Sequence, residues 1–396
     1  MSIVFLLCAV QFINILDFMM VMPLGPQFAG AIGVDPSHIG LIAGSYTASA
    51  AISGLLCSSF LDRFDRKKAL LTCFAGLIIS TVMCSFSFDL LSMVFARVCA
   101  GAFGGPATAL CFAIISDRIP VERRGRALGV IMMSFSLASI IGVPAGLELA
   151  QRGNWQTPFF AVGILGAVVL VAMIFLLPAM KDHLVDGRAS QSKGVLEAIR
   201  EMIGLLKTER YASAMTATSM MMIASFLVVP NIATFVQINM EYPSEKLGAL
   251  YMIGGISSFF SMHITGYLVD RFGGFWISLF GTVGMMTSLL LCFVIEPPVI
   301  PAFVIFVTFM VFTSMRNMSF QTVASRIPEP HQRARFMSLQ SAVQHFSTSA
   351  GALISSAILI TTADNKIGNM PIVASMSLLV AVFLPFQTKK IMKIIG

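Results

Sequence analysis

The chain has 396 residues, 57% of them hydrophobic and only 11% charged, against about 45–50% and roughly 25% in soluble domains. With a mean hydropathy of +0.86, this composition excludes a soluble globular protein and points to repeated passage through a bilayer. The net charge of +7 would suit a nucleic-acid partner, but the basic residues are distributed as topology signals, so no nucleic acid is expected.

Apolar runs long enough to cross about 30 Å of hydrocarbon, at roughly 20 residues each, lie near 3–28, 38–61, 69–88, 90–116, 125–150, 156–179, 211–239, 246–269, 275–295, 299–324, 335–361 and 371–388. They predict an all-α membrane protein of twelve transmembrane helices. Of the 26 Lys and Arg, 21 fall in loops on one side, at 62–68, 117–126, 181–210, 271, 326–335 and 389–393. Only Arg152, Lys246 and Lys366 fall on the other side, while Arg97 and Arg316 lie inside apolar runs. Such an excess marks the cytoplasmic face, so both termini and the long central loop are expected there.

The first run carries Gln11, Asn14, Asp17 and Phe18, at i, i+3, i+6 and i+7 on one helical face, among Phe12, Ile13, Ile15, Leu16 and Met19. Lipid offers such a stripe no partners, so it faces protein or a water-filled cavity. An acid at that depth is a functional candidate by default: Asp17 either couples transport to protons or is a permanently paired structural charge, with Arg97 as the obvious partner. The first run continues well past Leu7 without a small-residue cleavage site, and reads as a spanning helix rather than a signal peptide.

Between the second and third runs stands Asp62-Arg63-Phe64-Asp65-Arg66-Lys67-Lys68, echoed 208 positions later by Asp270-Arg271-Phe272. Arg118-Ile119-Pro120 recurs at the same distance as Arg326-Ile327-Pro328. Two matched loops at one offset indicate a duplicated half. Parallel halves in a membrane protein suggest a transporter with its substrate site at the repeat interface. The halves are read as 1–180 and 211–396, joined by the polar stretch 181–210. Within it, Val195, Leu196, Ile199, Met202, Ile203 and Leu206 predict an amphipathic interfacial helix.

These residues carry a family resemblance over essentially the whole chain. The loop from Asp62 to Lys67 resembles the major facilitator superfamily signature Gly-x-Leu-Ala-Asp-Arg-x-Gly-Arg-Lys, with Ser58 and Asp65 where that motif has its glycines. Arg97-x-x-x-Gly101 in the fourth run is similar to the superfamily's conserved-arginine motif. Gly142-Val143-Pro144-Ala145-Gly146, followed by Gly153-Asn154-Trp155, resembles the antiporter motif of the twelve-helix drug:proton antiporter and arabinose-efflux-permease-like branch. The resemblance implies two six-helix bundles and proton-coupled export of a small organic molecule, by a monomer in a bacterial inner membrane. It also implies gating contacts by Asp62, Arg63 and Arg66, and by their echoes Asp270 and Arg271. The alternatives are a proton-independent facilitator or importer of a polar solute such as a sugar, and a lipid flippase.

Offsetting Asp17 by 208 lands on Ser225, and Arg97 on Ile305, so the second half repeats neither charge at the matching positions. In its seventh run Asn231 and Thr234 either contact substrate or make interhelical hydrogen bonds. Arg316, beside Asn317, either recognises an anion or pairs with backbone; Gln340 and Gln344, one turn apart, are expected to line the cavity. Glu148, His263 and His345 are weaker candidates for titration. Gly142, Pro144 and Gly146 allow close helix approach and a bend, and Gly351, 209 positions beyond Gly142, predicts a second close crossing. The 33 Phe and 27 Met can supply adaptable apolar contacts. The seven cysteines lack CxxC spacing and read as free thiols. No Walker loop, HExxH or GxSxG occurs, so neither an enzyme nor a cofactor or metal site is expected.

Overall fold

The computed structural model of the chain describes residues 2–61, 64–180, 195–295, 300–329 and 332–395. The described residues are almost wholly helical: α1 (Ser2–Met20), α2 (Gly25–Ile32), α3 (Ile39–Leu61), α4 (Arg66–Cys84), α5 (Leu90–Arg118), α6 (Val121–Leu137), α7 (Val143–Arg152), α8 (Thr157–Leu176), α9 (Val195–Leu205), α10 (Glu209–Phe226), α11 (Val229–Ile238), α12 (Ser244–Phe272), α13 (Gly274–Leu289), α14 (Ala302–Ala324), α15 (Arg333–Ile358), α16 (Met370–Val382) and α17 (Leu384–Ile395). Among them, 11 helical stretches are long and apolar enough to cross a membrane. The remaining expected span is α15, which has 26 residues. Its length suffices, but Gln340, Gln344, His345 and a run of hydroxyl residues keep it less apolar than the others.

The chain divides into two compact units, Met1–Val34 with Ser45–Glu201, and Asp35–Gly44 with Met202–Gly396. In the first unit, α1 packs against α6, α8 and α4. The expected span 3–28 is interrupted by a turn at residues 21–24, around Pro23, before α2 begins. Proline cannot donate to the preceding turn, so a break at this point is physically reasonable. The fifth span is also irregular: Ala138–Gly142 form a π-helical turn in which the Val143 amide bonds back to the Ala138 carbonyl. Pro144 follows within the first two positions of α7. A widened turn next to a proline absorbs the hydrogen bond that proline cannot make. Gly142 and Gly146 bring this segment onto α1, where a Cβ would meet Leu16 at 2.7 Å and Met20 at 2.9 Å respectively.

In the second unit, the seventh span breaks between α10 and α11, just ahead of Pro230. The last expected span, 371–388, is two helices rather than one, α16 and α17. A short hairpin pairs β1 (Ile360–Thr361) with β2 (Ile367–Gly368), antiparallel, and Asn365 in its turn has φ of 56°. The sequence shows only a polar turn there. Gly351 makes the expected close crossing, a Cβ there lying 3.0 Å from the Ile223 carbonyl of α10.

The duplication is visible in the local structure: α4 starts at Arg66 and α13 at Gly274, 208 positions apart. The two helix starts are built differently. Asp65 accepts a hydrogen bond from the Lys67 amide as the N-cap of α4, whereas Gly273 enters α13 with φ of 84°, a conformation that glycine adopts without steric penalty. Asp65 is therefore more than a departure from the signature: its carboxylate also accepts from the Met180 amide at 3.1 Å, tying the start of α4 to the end of the sixth span.

Candidate functional site

The polar stripe of α1 is buried within the first unit, and its members are joined into one string. Asp17 and Arg97 are both 0% exposed, and Arg97 Nη1 donates to Asp17 Oδ2 at 2.8 Å. The other carboxylate oxygen accepts from Thr81 Oγ1 of α4 at 2.8 Å. Three helices thus converge on one acid. The guanidinium lies over the ring of Tyr46 of α3, 4.6 Å from its centroid, a position from which a cation is attracted by the π face. Its Nε and Nη2 have no hydrogen-bond partner, so Asp17 and the Tyr46 ring supply most of its compensation.

From Tyr46 the string continues along α1. The Tyr46 hydroxyl donates to Asn14 Oδ1, and the Asn14 amide donates to the Gly104 carbonyl at 3.1 Å and to Thr108 Oγ1 at 2.8 Å. Thr108 in turn donates to Gln11 Oε1 at 3.2 Å. Phe18 stacks beside Tyr46 with ring centroids 5.3 Å apart. A buried polar network whose members satisfy one another is mutually reinforced in a low dielectric.

Sequence reasoning missed Tyr46, Thr81 and Thr108, each one hydroxyl residue among other polar residues of its helix. It also missed Gly104 and Gly105. A Cβ at Gly101 or Gly105 would collide with the Tyr46 and Ala50 carbonyls, and one at Gly104 with the Tyr46 hydroxyl and Asn14 Oδ1. The available signal was the Gly101, Gly104, Gly105 pattern on one helix, a small-residue face that lets backbones approach.

The remaining expected residues are distributed more widely. Asn231 donates to Ser355 Oγ at 2.7 Å, which is the interhelical option, while Thr234 is fully buried with its hydroxyl unpaired. Gln340 Nε2 lies 3.4 Å from Gln321 Oε1, and Gln344 is half-buried on the same helix. Arg316 is 0% exposed in α14; its backbone-pairing option is met in part, by a 3.4 Å contact to the Met221 carbonyl. Asp62 and Arg63 lie outside the described residues. Arg66 Nε meets Asp117 Oδ2 at the end of α5, 3.3 Å away. In the second copy, Asp270 reaches Arg326 only at 4.0 Å on the surface, and Arg271 lies over the Phe272 ring. Glu148 is exposed and paired with Arg152 one turn on, and His263 is exposed. Among the described residues, no group of three or more His, Cys, Asp or Glu could hold a metal.

Comparison with known proteins agrees with this architecture. The family model described as Major Facilitator Superfamily matches residues 7–386. The chain is 27% identical over 346 residues to the uncharacterized MFS-type transporter YwfA of Bacillus subtilis, covering 85% of this chain and 80% of that protein. It is 22% identical over 369 residues to a chloramphenicol resistance protein of Streptomyces lividans, covering 92% and 90%. Among solved structures, a point mutant of the nucleoside transporter NupG superposes with a TM-score of 0.77 at 14% identity, covering 98% of this chain and 99% of that one. That likeness is one of fold.

Proposed function

The chain belongs to the major facilitator superfamily, as a multi-pass membrane transporter and not an enzyme, and we propose that it exports a small amphipathic organic compound in exchange for protons. The observation that carries this reading is the Asp17–Arg97 pair, fully buried and 2.8 Å apart. Such a pair has two arrangements that leave no bare anion in the interior: acid and guanidinium joined, or the acid protonated and the guanidinium free to find another partner. A proton that favours the second biases a two-state protein.

The string of hydrogen bonds gives that event somewhere to go. Arg97 rests on Tyr46, Tyr46 bonds Asn14, and Asn14 connects through Thr108 to Gln11. Protonation of Asp17 releases Arg97 and so loosens the polar stripe that is expected to meet substrate. Export is supported by the chloramphenicol resistance relative and by the close seating of Gly142 and Gly146 on α1, which couples the antiporter-like segment to the helix that carries Asp17. Asp62, Arg63 and Arg66 act in gating on the cytoplasmic side, where both termini also lie. The setting is a bacterial inner membrane, and the working unit is a monomer.

The test is substrate-induced proton movement in proteoliposomes, comparing the natural chain with Asp17→Asn over a compound panel that includes chloramphenicol. Proton flux that disappears in the variant while compound binding persists is the expected result. Gradient-driven transport unchanged in Asp17→Asn overturns the assignment and moves it to Glu148 and the histidines. Transport indifferent to the gradient in both proteins replaces antiport with facilitated diffusion.

A further inference from the structure

The second unit contains a buried cation with no buried anion among the described residues. Arg316 is 0% exposed, at the junction of α10, α13 and α14. Its Nη2 donates to Ser225 Oγ at 2.6 Å and approaches the Met221 carbonyl at 3.4 Å. Nη1 meets the Met285 thioether at 2.9 Å, and Asn317 Oδ1 lies 3.1 Å from Nη2 and 3.4 Å from Nε. Every partner is neutral. One is a sulfur, a weak acceptor. Among the described residues no carboxylate pairs with Arg316, whereas Arg97, equally buried, has Asp17.

The duplication sharpens the contrast. Ser225 is the position that the 208-residue offset matches to Asp17. The second unit therefore presents a guanidinium to the place where the first unit keeps its acid, and a hydroxyl stands there instead. An ion in the membrane interior without a counter-charge is costly and marks a functional site by default.

Its surroundings are rich in donors. Thr313 and Ser319 flank Arg316 one turn away on either side of α14, and Ser278 lies on the facing helix α13; all three hydroxyl oxygens are buried without a hydrogen-bond partner. Close approach of α13 is permitted by Gly281, where a Cβ would lie 2.7 Å from the Arg316 amide nitrogen. A planar fork of N–H groups beside unpaired hydroxyls suits an oxyacid group, which accepts several hydrogen bonds and takes a bidentate grip.

We propose that Arg316 supplies the counter-charge for the transported compound, which carries a single oxyacid group, such as a carboxylate, on a small apolar body. This deepens the transport reading above and rests on it for the presence of a substrate. Arg316 grips the acid, the hydroxyls of Thr313 and Ser319 complete its hydrogen bonding, and Met221 and Met285 contact the apolar part.

The experiment is thermal protection of the purified full chain in detergent by three matched probe pairs: salicylate and salicylamide, 4-phenylbutyrate and its amide, octanoate and octanamide. At least one acid is expected to protect at concentrations at least tenfold lower than its amide. Arg316→Gln should abolish that preference and Arg316→Lys should retain part of it. Should Arg316→Gln fail to fold, Ser225→Asp answers the same question: an internal carboxylate occupies the guanidinium, raising the melting temperature and removing acid protection. The proposal is overturned if no acid is favoured over its amide, including the case of no response to any probe, or if the preference survives in Arg316→Gln or Ser225→Asp. No proton gradient is present, so failure here leaves proton coupling standing, and failure of proton coupling leaves acid recognition standing.

Discussion

Replacing Asp17 by Asn leaves Arg97 buried without a counter-charge: a neutral carboxamide and the Tyr46 ring stand beside it, and its Nε and Nη2 already lack hydrogen-bond partners. Replacing Arg97 by Met leaves the Asp17 carboxylate with the Thr81 hydroxyl alone. Breaking one side of a buried pair costs about 3–5 kcal/mol, whereas replacing both sides with neutral groups is often close to neutral. The expected pattern is two destabilised single variants and a double variant, Asp17→Asn with Arg97→Met, that recovers most of the loss. The coupling should exceed about 3 kcal/mol, the upper end of the usual range for residues in direct contact, because two losses of about 3–5 kcal/mol each are largely recovered in the double variant. Trp155 gives a local reporter, being buried against Phe28 and Phe159 in the first unit. Denaturant unfolding in micelles, read by its fluorescence in a Trp276→Phe background, supplies the four free energies. Single variants that each cost less than about 1 kcal/mol, or a double variant equal to their sum, refute the argument that the pair is held as a unit.

Gly104→Ala should cost about 1–3 kcal/mol by overpacking and sever the Tyr46–Asn14 bond. Gly129→Ala, with nothing within 4 Å of the added carbon, should be neutral or stabilising in the same unfolding assay. Tyr46→Phe removes the hydroxyl but keeps the ring over Arg97, so its difference from Tyr46→Leu sets an upper bound on the cation–π contact, worth up to about 2 kcal/mol, because Leu also loses the ring's packing on Phe18; equal losses would exclude it. Asp65→Ala should destabilise by about 1–2 kcal/mol through loss of the α4 cap, and no loss would show that the carboxylate is dispensable there. Burial works to raise the Asp35 carboxyl, but hydrogen bonds from Thr361 and Ser37, together with the charge of His38, outweigh it and hold the carboxyl below its usual range. The resulting stability is present above the unfolded value near 4 and is lost as pH falls through the lower folded value. Thr361→Val should shrink that acid-side loss, measured by unfolding between pH 5 and pH 3; an unchanged profile would refute the Thr361 contribution.

What the sequence alone determined is what depends on composition and spacing along one helix. Apolar runs of membrane length set the spans, because a bilayer accepts only internally satisfied backbone, and the 208-residue echo set the duplication. The i, i+3, i+6 polar stripe singled out Gln11, Asn14 and Asp17, because lipid forbids such a stripe a bare face. Arg97 was legible as a partner since an isolated ion at that depth requires one. The interruptions at residues 21–24, at Ala138–Gly142 and between α10 and α11 were foreshadowed by Pro23, Pro144 and Pro230, but whether a proline kinks, widens or breaks a helix depends on what can satisfy the freed carbonyl nearby. Only tertiary structure decided the partners that come from other helices. Thr81, Tyr46 and Thr108 are ordinary in their own segments and matter because α3, α4 and α5 bring them to α1, at distances permitted by Gly101, Gly104 and Gly105. The same holds for Arg316: the chain reveals a lone cation, but its meeting with Ser225, the duplicate of Asp17, follows from helix packing that no local pattern encodes.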